Sequence, residues 1–337
     1  MEIAVRFLVV GLGSMGKRRV RNLLALGHQE IAGFDPREDR RDEAHQKSGI
    51  DTFADFAGAV ESVRPDALVI STSPEHHMTY AWEGFERRIP CFIEASVVDA
   101  DSILELHQRT VDTPLIIVPS CTMRYFPGPK KVAELIRAGA IGRPLNINYQ
   151  VGQYLPDWHP WERVEDFYVS NRATGACREI VPFELTWLNG IFGTPTALAC
   201  VKAKLTDINA DIDDVYHCIV KYPDGVLANI CVEVISRPKA TRELRVLGTT
   251  GEIVFSGEER CVRYANTAGT EWTRFELAGG TVEKSYINPE EPYIAEMRDF
   301  IDAVKQGDRR LFPNALLDDY GILQTLHELE TLSEPAK

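Results

Sequence analysis

The residues with the plainest chemical purpose are the glycines of Gly11-Leu12-Gly13-Ser14-Met15-Gly16. Gly11 permits a tight turn, Gly13 lets a pyrophosphate approach the main chain, and Gly16 lets a helix pack closely on a strand. Phosphates would rest on the amides at the helix start, where Ser14 and Met15 stand. Downstream, Ile31-Ala32-Gly33-Phe34-Asp35 reads as a strand ending in an acid. A carboxylate there accepts from the ribose 2′-hydroxyl and repels a 2′-phosphate, which favours NAD. Arg37 could pair with such a phosphate, so NADP stays open.

A second chemically rich stretch is Gly152-Gln153-Tyr154-Leu155-Pro156-Asp157-Trp158-His159-Pro160-Trp161. Tyrosine can serve as an acid, and histidine suits proton transfer near neutral pH, which singles out Tyr154 and His159. Tyr154, Trp158 and Trp161 could stack on a sugar or nicotinamide, or fill a domain junction. Arg124 and Arg172 are candidate anion contacts, with Arg172 assigned rather to the surface. His217 alternates with Val215 and Ile219 and reads as a sheet residue.

These groups need a scaffold. Val5-Arg6-Phe7-Leu8-Val9-Val10 is an apolar run of the buried parallel-strand type, and Lys17 to Leu26 carries apolar residues at helical spacing before Gly27. A charged helix ending near Gly49 follows. Strands are then expected at Ala67 to Ser71, Pro90 to Glu94 and Leu115 to Val118, with helices from Glu75 to about Arg87 and from Ala100 to Arg109. That alternation predicts a doubly wound parallel sheet with right-handed crossovers, an α/β Rossmann domain over residues 1–120. Ligands in such sheets bind beyond the carboxyl ends of the strands, so the loops at Gly11, Asp35, Ser71 and Glu94 should face one cleft.

Residues 121–337 change character. A helix from Gly128 to Ala138 leads into alternating strands from Leu145 onward. Pro223-Asp224-Gly225 marks a hairpin between Val215–Tyr222 and Val226–Ile235. Strands at Glu243 to Leu247, Glu252 to Phe255 and Cys261 to Tyr264 follow, then helices from Pro292 to Lys305 and Asn314 to Leu332. This predicts an α+β domain with a large, mostly antiparallel open sheet, closely joined to the first, the active site between them.

Composition narrows the partners. A chain of 337 residues with 44% apolar content can fill two cores. Its net charge of −13 and lack of a basic cluster argue against nucleic acid. No run is apolar and long enough for a membrane span, and the opening residues, which read straight into a strand, lead us to expect no signal peptide. The 7 cysteines are scattered and form no CxxC pair, as expected for reduced core thiols in a cytoplasmic protein. There is no HExxH pattern, and adjacent His76 and His77 suit a shared ion poorly, so no metal is expected.

Taken together, several motifs resemble the glucose–fructose oxidoreductase / inositol dehydrogenase (Gfo/Idh/MocA) family. They are the Gly11–Gly16 turn, Ser71-Thr72-Ser73-Pro74 with His77, Met123-Arg124-Tyr125-Phe126-Pro127, Ala140-Ile141-Gly142-Arg143-Pro144, and Val246-Leu247-Gly248-Thr249-Thr250-Gly251. The resemblance spans essentially the whole chain. It implies a Rossmann domain plus an open sheet that often joins subunits, hence a homodimer or homotetramer. It also implies oxidation or reduction of one carbon of a sugar, polyol or sugar nucleotide with NAD or NADP. Ser71, Thr72, His77 and Glu94 would then stand on the coenzyme side, with Glu94 holding the ribose or nicotinamide end.

The family's proton-handling groups are largely missing. The resemblance implies a lysine from Glu-Lys-Pro, plus an Asp and a His four residues apart. Here the first motif is Glu94-Ala95-Ser96 and the second is Glu179-Ile180-Val181-Pro182-Phe183. Alanine and phenylalanine carry no proton. Three readings follow: a dehydrogenase with a moved acid/base (Glu179, Tyr154, Asp157 or His159), an enzyme using NAD for a redox-neutral elimination or glycoside cleavage, or a dinucleotide-binding sensor or partner protein. Pro182 suits a first helical turn, which places Glu179 just before a helix and Phe183 as an apolar wall. Arg124, Asp157, Trp158 and Phe183 complete the expected substrate side.

Overall fold

Within the apolar run Val5 to Val10, Phe7–Val10 forms strand β1, every residue of it buried, as a strand covered on both faces requires. The computed structural model describes residues 5–269, 271–284 and 286–333. Residues 1–4, at the start of the chain, lie outside them.

The chain divides into two units. The first comprises Met1–Thr122 and Pro289–Tyr320. After β1 come α1 (Ser14–Ala25), β2 (Ile31–Phe34), α2 (Glu38–Ser48), β3 (Asp51–Phe53), α3 (Phe56–Val63), β4 (Ala67–Ile70), α4 (His77–Arg87), β5 (Cys91–Ile93), α5 (Ala100–Thr110) and β6 (Ile117–Pro119). The strands form a parallel sheet in the order β3-β2-β1-β4-β5-β6. β1 pairs with β2 on one side and β4 on the other, so the glycine turn after β1 lies where the winding reverses. β3 and α3 were not anticipated. β3 is three residues long and half-exposed, too short for a periodic signal. α3 is capped by Asp55, whose carboxylate accepts the Gly58 amide at 2.7 Å.

The second unit comprises Met123–Asn288 and Gly321–Lys337. It holds α6 (Pro127–Arg137), β7 (Pro144–Gly152), α7 (Cys177–Phe192), β8 (Thr196–Ala203), β9 (Val215–Lys221), β10 (Leu227–Glu233), β11 (Thr241–Gly248), β12 (Gly251–Ser256), β13 (Cys261–Asn266) and β14 (Thr273–Glu276). The sheet order is β14-β13-β12-β11-β7-β10-β9-β8, with β7 and β10 parallel and the other pairs antiparallel. Alternate residues such as Ile147, Tyr149, Ile230 and Val232 are buried on one face, against which α6 and α7 pack. β8 and β14 escaped notice because both are edge strands, mostly exposed, with no clean alternation.

Two expectations are corrected. The closing segment does not all belong to the second domain: α8 (Glu291–Gln306) and the start of α9 (Leu316–Leu332) belong to the first unit. Buried ion pairs explain this. Arg18 Nε donates to Glu290 Oε1 at 3.0 Å, and Asn22 Nδ2 donates to Glu290 Oε2 at 2.9 Å. No local pattern reveals a pairing across so much chain. The second correction concerns Pro182, which is inside α7 rather than in its first turn. The helix starts earlier because the Ala176 carbonyl accepts the amides of Glu179 and Ile180 at 3.1 and 3.3 Å. Glu179 therefore sits in the first helical turn.

Among the described residues no helix is long and apolar enough to cross a membrane.

Candidate functional site

In the first unit the glycine turn has the shape of a phosphate cradle. Gly11 has φ +92°, in the region that favours glycine, and a β-carbon there would lie 2.8 Å from the Ser71 carbonyl oxygen. A β-carbon on Gly16 would collide with the Gly11 carbonyl oxygen. At Gly13 it would meet only Arg40, at 3.6 Å, so that face is left to a ligand. Helix α1 begins at Gly13 with no side-chain cap and no acid in its first turn, which keeps its positive end suited to an anion.

Asp35 follows β2 and is almost fully buried. Its Oδ2 accepts the Leu12 amide at 2.8 Å and its Oδ1 the Arg37 amide at 2.9 Å. The expected ribose acceptor thus also braces the glycine turn. The Arg37 side chain is engaged with Asp39. Arg40, which the sequence did not single out, lies with Nη1 3.7 Å from Asp35 Oδ2.

At the ends of β4 and β5, Ser71 Oγ donates to Glu94 Oε1 at 3.4 Å. Glu94 is held by Arg19, through Nε at 2.6 Å and Nη2 at 3.0 Å. Its first duty is therefore a buried ion pair. His77 Nε2 donates to the Thr72 carbonyl at 3.0 Å, and burial pushes its pKa down, which keeps the ring neutral. Its Nδ1 and the Thr72 Oγ1 are buried with no hydrogen-bond partner. Two orphaned polar atoms at a strand's carboxyl end, beside a glycine cradle, fit a polar coenzyme well.

In the second unit the chemistry gathers at the start of α7. Burial raises the Glu179 pKa to about 7, against the opposing pull of a hydrogen bond from Tyr168. The Tyr168 hydroxyl donates to Oε1 at 2.7 Å, while Oε2 is buried without a partner. A carboxyl tuned close to neutral pH is the pattern of a general acid or base. Sequence reasoning missed Tyr168, whose short helical turn (Tyr168–Ser170) follows an irregular loop.

His159 is linked to the same loop. Its Nδ1 bonds Glu162 Oε1 at 2.6 Å, and its ring stacks on Trp161 and Phe167 at 4.8 and 4.6 Å. Phe167 in turn meets Tyr168 edge-on at 6.0 Å. Tyr154 lies elsewhere, under the Arg237 guanidinium at 4.0 Å, lining a cavity of about 540 Å³ with Pro156, Glu165 and Thr206. Asp157 is exposed, Phe183 is half-buried, and Trp158 Nε1 is buried without a partner. Arg124 Nε donates to the Thr186 carbonyl of α7 at 2.8 Å, a structural use that the anion reading did not foresee. Arg172 pairs with Asp211 and Asp213.

The Glu179 carboxyl makes stability depend on pH. Its folded pKa of about 7 exceeds the ordinary 4.5, so the folded chain holds a proton that the unfolded chain has already lost. Stability from this group is therefore intact below 4.5 and falls as pH rises through about 7. Glu179→Gln should flatten that slope and gain roughly 1–3 kcal/mol above neutrality, measured by urea unfolding across the range.

Residues 5–113 match the family described as oxidoreductase family, NAD-binding Rossmann fold, and residues 130–254 match the GFO/IDH/MocA C-terminal domain. An inositol 2-dehydrogenase of Rubrobacter xylanophilus is 28% identical over 141 residues, which is 41% of this chain and 41% of that protein. An oxidoreductase from Agrobacterium radiobacter, solved with NAD+, L-tartaric acid and magnesium, superposes with a TM-score of 0.85 at 13% identity, covering 98% of this chain and 96% of that one. A levoglucosan dehydrogenase solved with NADH and levoglucosan gives 0.84 at 16% identity, covering 98% and 97%. A UDP-N-acetylglucosamine 3-dehydrogenase from Acidithiobacillus ferrooxidans gives 0.77 at 16% identity, covering 98% of each chain. At such identities these structures share the fold.

Proposed function

The chain belongs to the Gfo/Idh/MocA oxidoreductase family, and from that premise we propose that it is an NAD(P)-dependent dehydrogenase of a sugar-like or polyol hydroxyl whose proton acceptor is Glu179. The observation that carries the reading is the Tyr168–Glu179 pair: a carboxyl with a pKa of about 7, hydrogen-bonded on one oxygen and orphaned on the other. A bound nicotinamide coenzyme would supply the hydride acceptor. Glu179 Oε2 takes the hydroxyl proton as the carbon is oxidised, and returns it in reduction. Tyr168 holds the carboxylate in orientation through Oε1. Gly11, Gly13, Ser14, Met15 and Gly16 receive the diphosphate, with Thr72 Oγ1 and His77 Nδ1 available to polar groups of the coenzyme.

The test is a panel of sugars, polyols and sugar nucleotides incubated with the protein and either coenzyme, following NADH absorbance and product mass together. Glu179→Gln should lower kcat by about 10²–10⁴-fold with little change in coenzyme affinity. A full rate in that variant removes Glu179 from the mechanism. Product mass changing without net NADH would replace a dehydrogenase by a redox-neutral enzyme.

A second copy of the chain is the proposed occupant of the sheet face opposite α6 and α7. That face carries Val201 and Leu227, 67% and 46% exposed, with Ile219 on the strand between them. Val201→Glu should shift the sedimentation mass toward the monomer; an unchanged mass places the contact elsewhere.

A further inference from the structure

Asp319 is a buried carboxyl that the proposed chemistry does not use. It is 2% exposed, and its Oδ2 has no hydrogen-bond partner. It stands in the first turn of α9. The start of that helix is anchored at the carboxyl end of β6, where Asn314 Nδ2 donates to the Pro119 carbonyl at 3.2 Å. The Ser96 side chain faces the carboxyl, and its hydroxyl favours the charged form. Ser96 itself follows β5 and is 3% exposed. Asp319 and Ser96 therefore sit where β5 and β6 end.

That location has a meaning in this sheet. A doubly wound sheet binds one mononucleotide per half, beyond the carboxyl ends of its strands. The glycine turn and Asp35 mark the β1–β3 half as the adenosine side, which leaves the β4–β6 half to the nicotinamide. The oxidised nicotinamide ring is a cation, and the reduced ring is neutral. A carboxyl able to change charge at that end discriminates between them, because an opposite charge nearby favours ionisation.

Resting on the dinucleotide reading above, we infer that Asp319, with Ser96 in front of it, is the charge partner of the nicotinamide end: it releases its proton to solvent when the oxidised ring binds and keeps it when the reduced ring binds. Asp319 is thus a positioning residue that couples coenzyme redox state to pH. Burial raises its pKa to about 7, the Ser96 hydroxyl opposes the rise, and Asp318 in the same turn adds to it. The proton is consequently available for release near neutrality.

The test is titration calorimetry of the full chain with NAD+ and NADH, and with the NADP pair, in two buffers of different ionisation enthalpy. Wild type should release a substantial fraction of a proton on binding the oxidised form near neutral pH, and much less with the reduced form. Its affinity for the oxidised form should rise several-fold over about one pH unit, approaching the tenfold limit of one linked proton. Asp319→Asn, close in shape to the protonated acid, should abolish the release and flatten the pH dependence. Glu179→Gln, which removes another raised carboxyl, should keep it. Ser96→Ala should move the release to higher pH. Equal release in Asp319→Asn and wild type, or none in wild type, overturns this inference while leaving the coenzyme reading intact. Failure of every coenzyme to bind overturns both.

Discussion

Gly16→Ala should deprive the protein of its coenzyme and of much of its stability. The added methyl would collide with the Gly11 carbonyl oxygen, a main-chain atom that cannot rotate away. Either α1 lifts from β1 or the turn opens. Both disrupt the amides that would face the diphosphate. The cost should be about 3 kcal/mol, at the severe end for overpacking because backbone must move. Gly13→Ala separates the two effects. Its β-carbon would meet Arg40 at 3.6 Å, an ordinary contact, and the backbone there has φ −66°, which alanine tolerates. That variant should unfold within about 0.5 kcal/mol of wild type yet bind coenzyme at least about tenfold more weakly. Urea midpoints and calorimetric affinities check both. Normal coenzyme binding by Gly13→Ala would mean that the diphosphate does not pass over that residue.

The second large effect is expected from Arg19→Ala. Arg19 is fully buried in α1 and lies between two carboxylates, Glu94 and Glu296. Burial works against its charge, but the two facing carboxylates prevail and hold its pKa above the ordinary value. Its guanidinium also lies over the Phe92 ring, at 4.5 Å. Glu296 accepts further hydrogen bonds from Ser120 Oγ, the Cys121 amide and Thr122 Oγ1 at 2.9, 2.6 and 2.6 Å. Removing the arginine leaves both acids buried and uncompensated, a loss of about 3–5 kcal/mol. Arg19→Lys should recover only part, since an ammonium cannot engage Glu94 at two points while also reaching Glu296. Arg19→Met combined with Glu94→Gln and Glu296→Gln should recover more, because it removes the charges together. Denaturant unfolding of the three variants measures the order. If Arg19→Ala loses less than about 1 kcal/mol, the triad is not the tie between α1 and α8.

The sequence by itself determined what short-range spacing can encode. The run from Phe7 to Gly16 specified strand, turn and helix because each glycine answers a local steric demand. Apolar runs at Ala67–Ile70 and Cys91–Ile93 showed a buried parallel sheet, and Pro223-Asp224-Gly225 marked the β9–β10 turn. The motif position of Glu179 also directed attention to the start of α7, where burial raises that carboxyl's pKa. What only the tertiary structure decided lies in contacts between distant residues and in burial. Nothing near Arg19 announces Glu296, 277 residues later, so α8 was assigned to the wrong unit. Glu94 and Asp35 were legible as polar residues at strand ends, but not their engagement with Arg19 and with the Leu12 amide. Tyr168, Arg40 and Asp319 gain their meaning from what they face. The raised pKa values of Glu179 and Asp319 arise from loss of water around a carboxyl, a property of the folded interior that no run of neighbouring residues encodes.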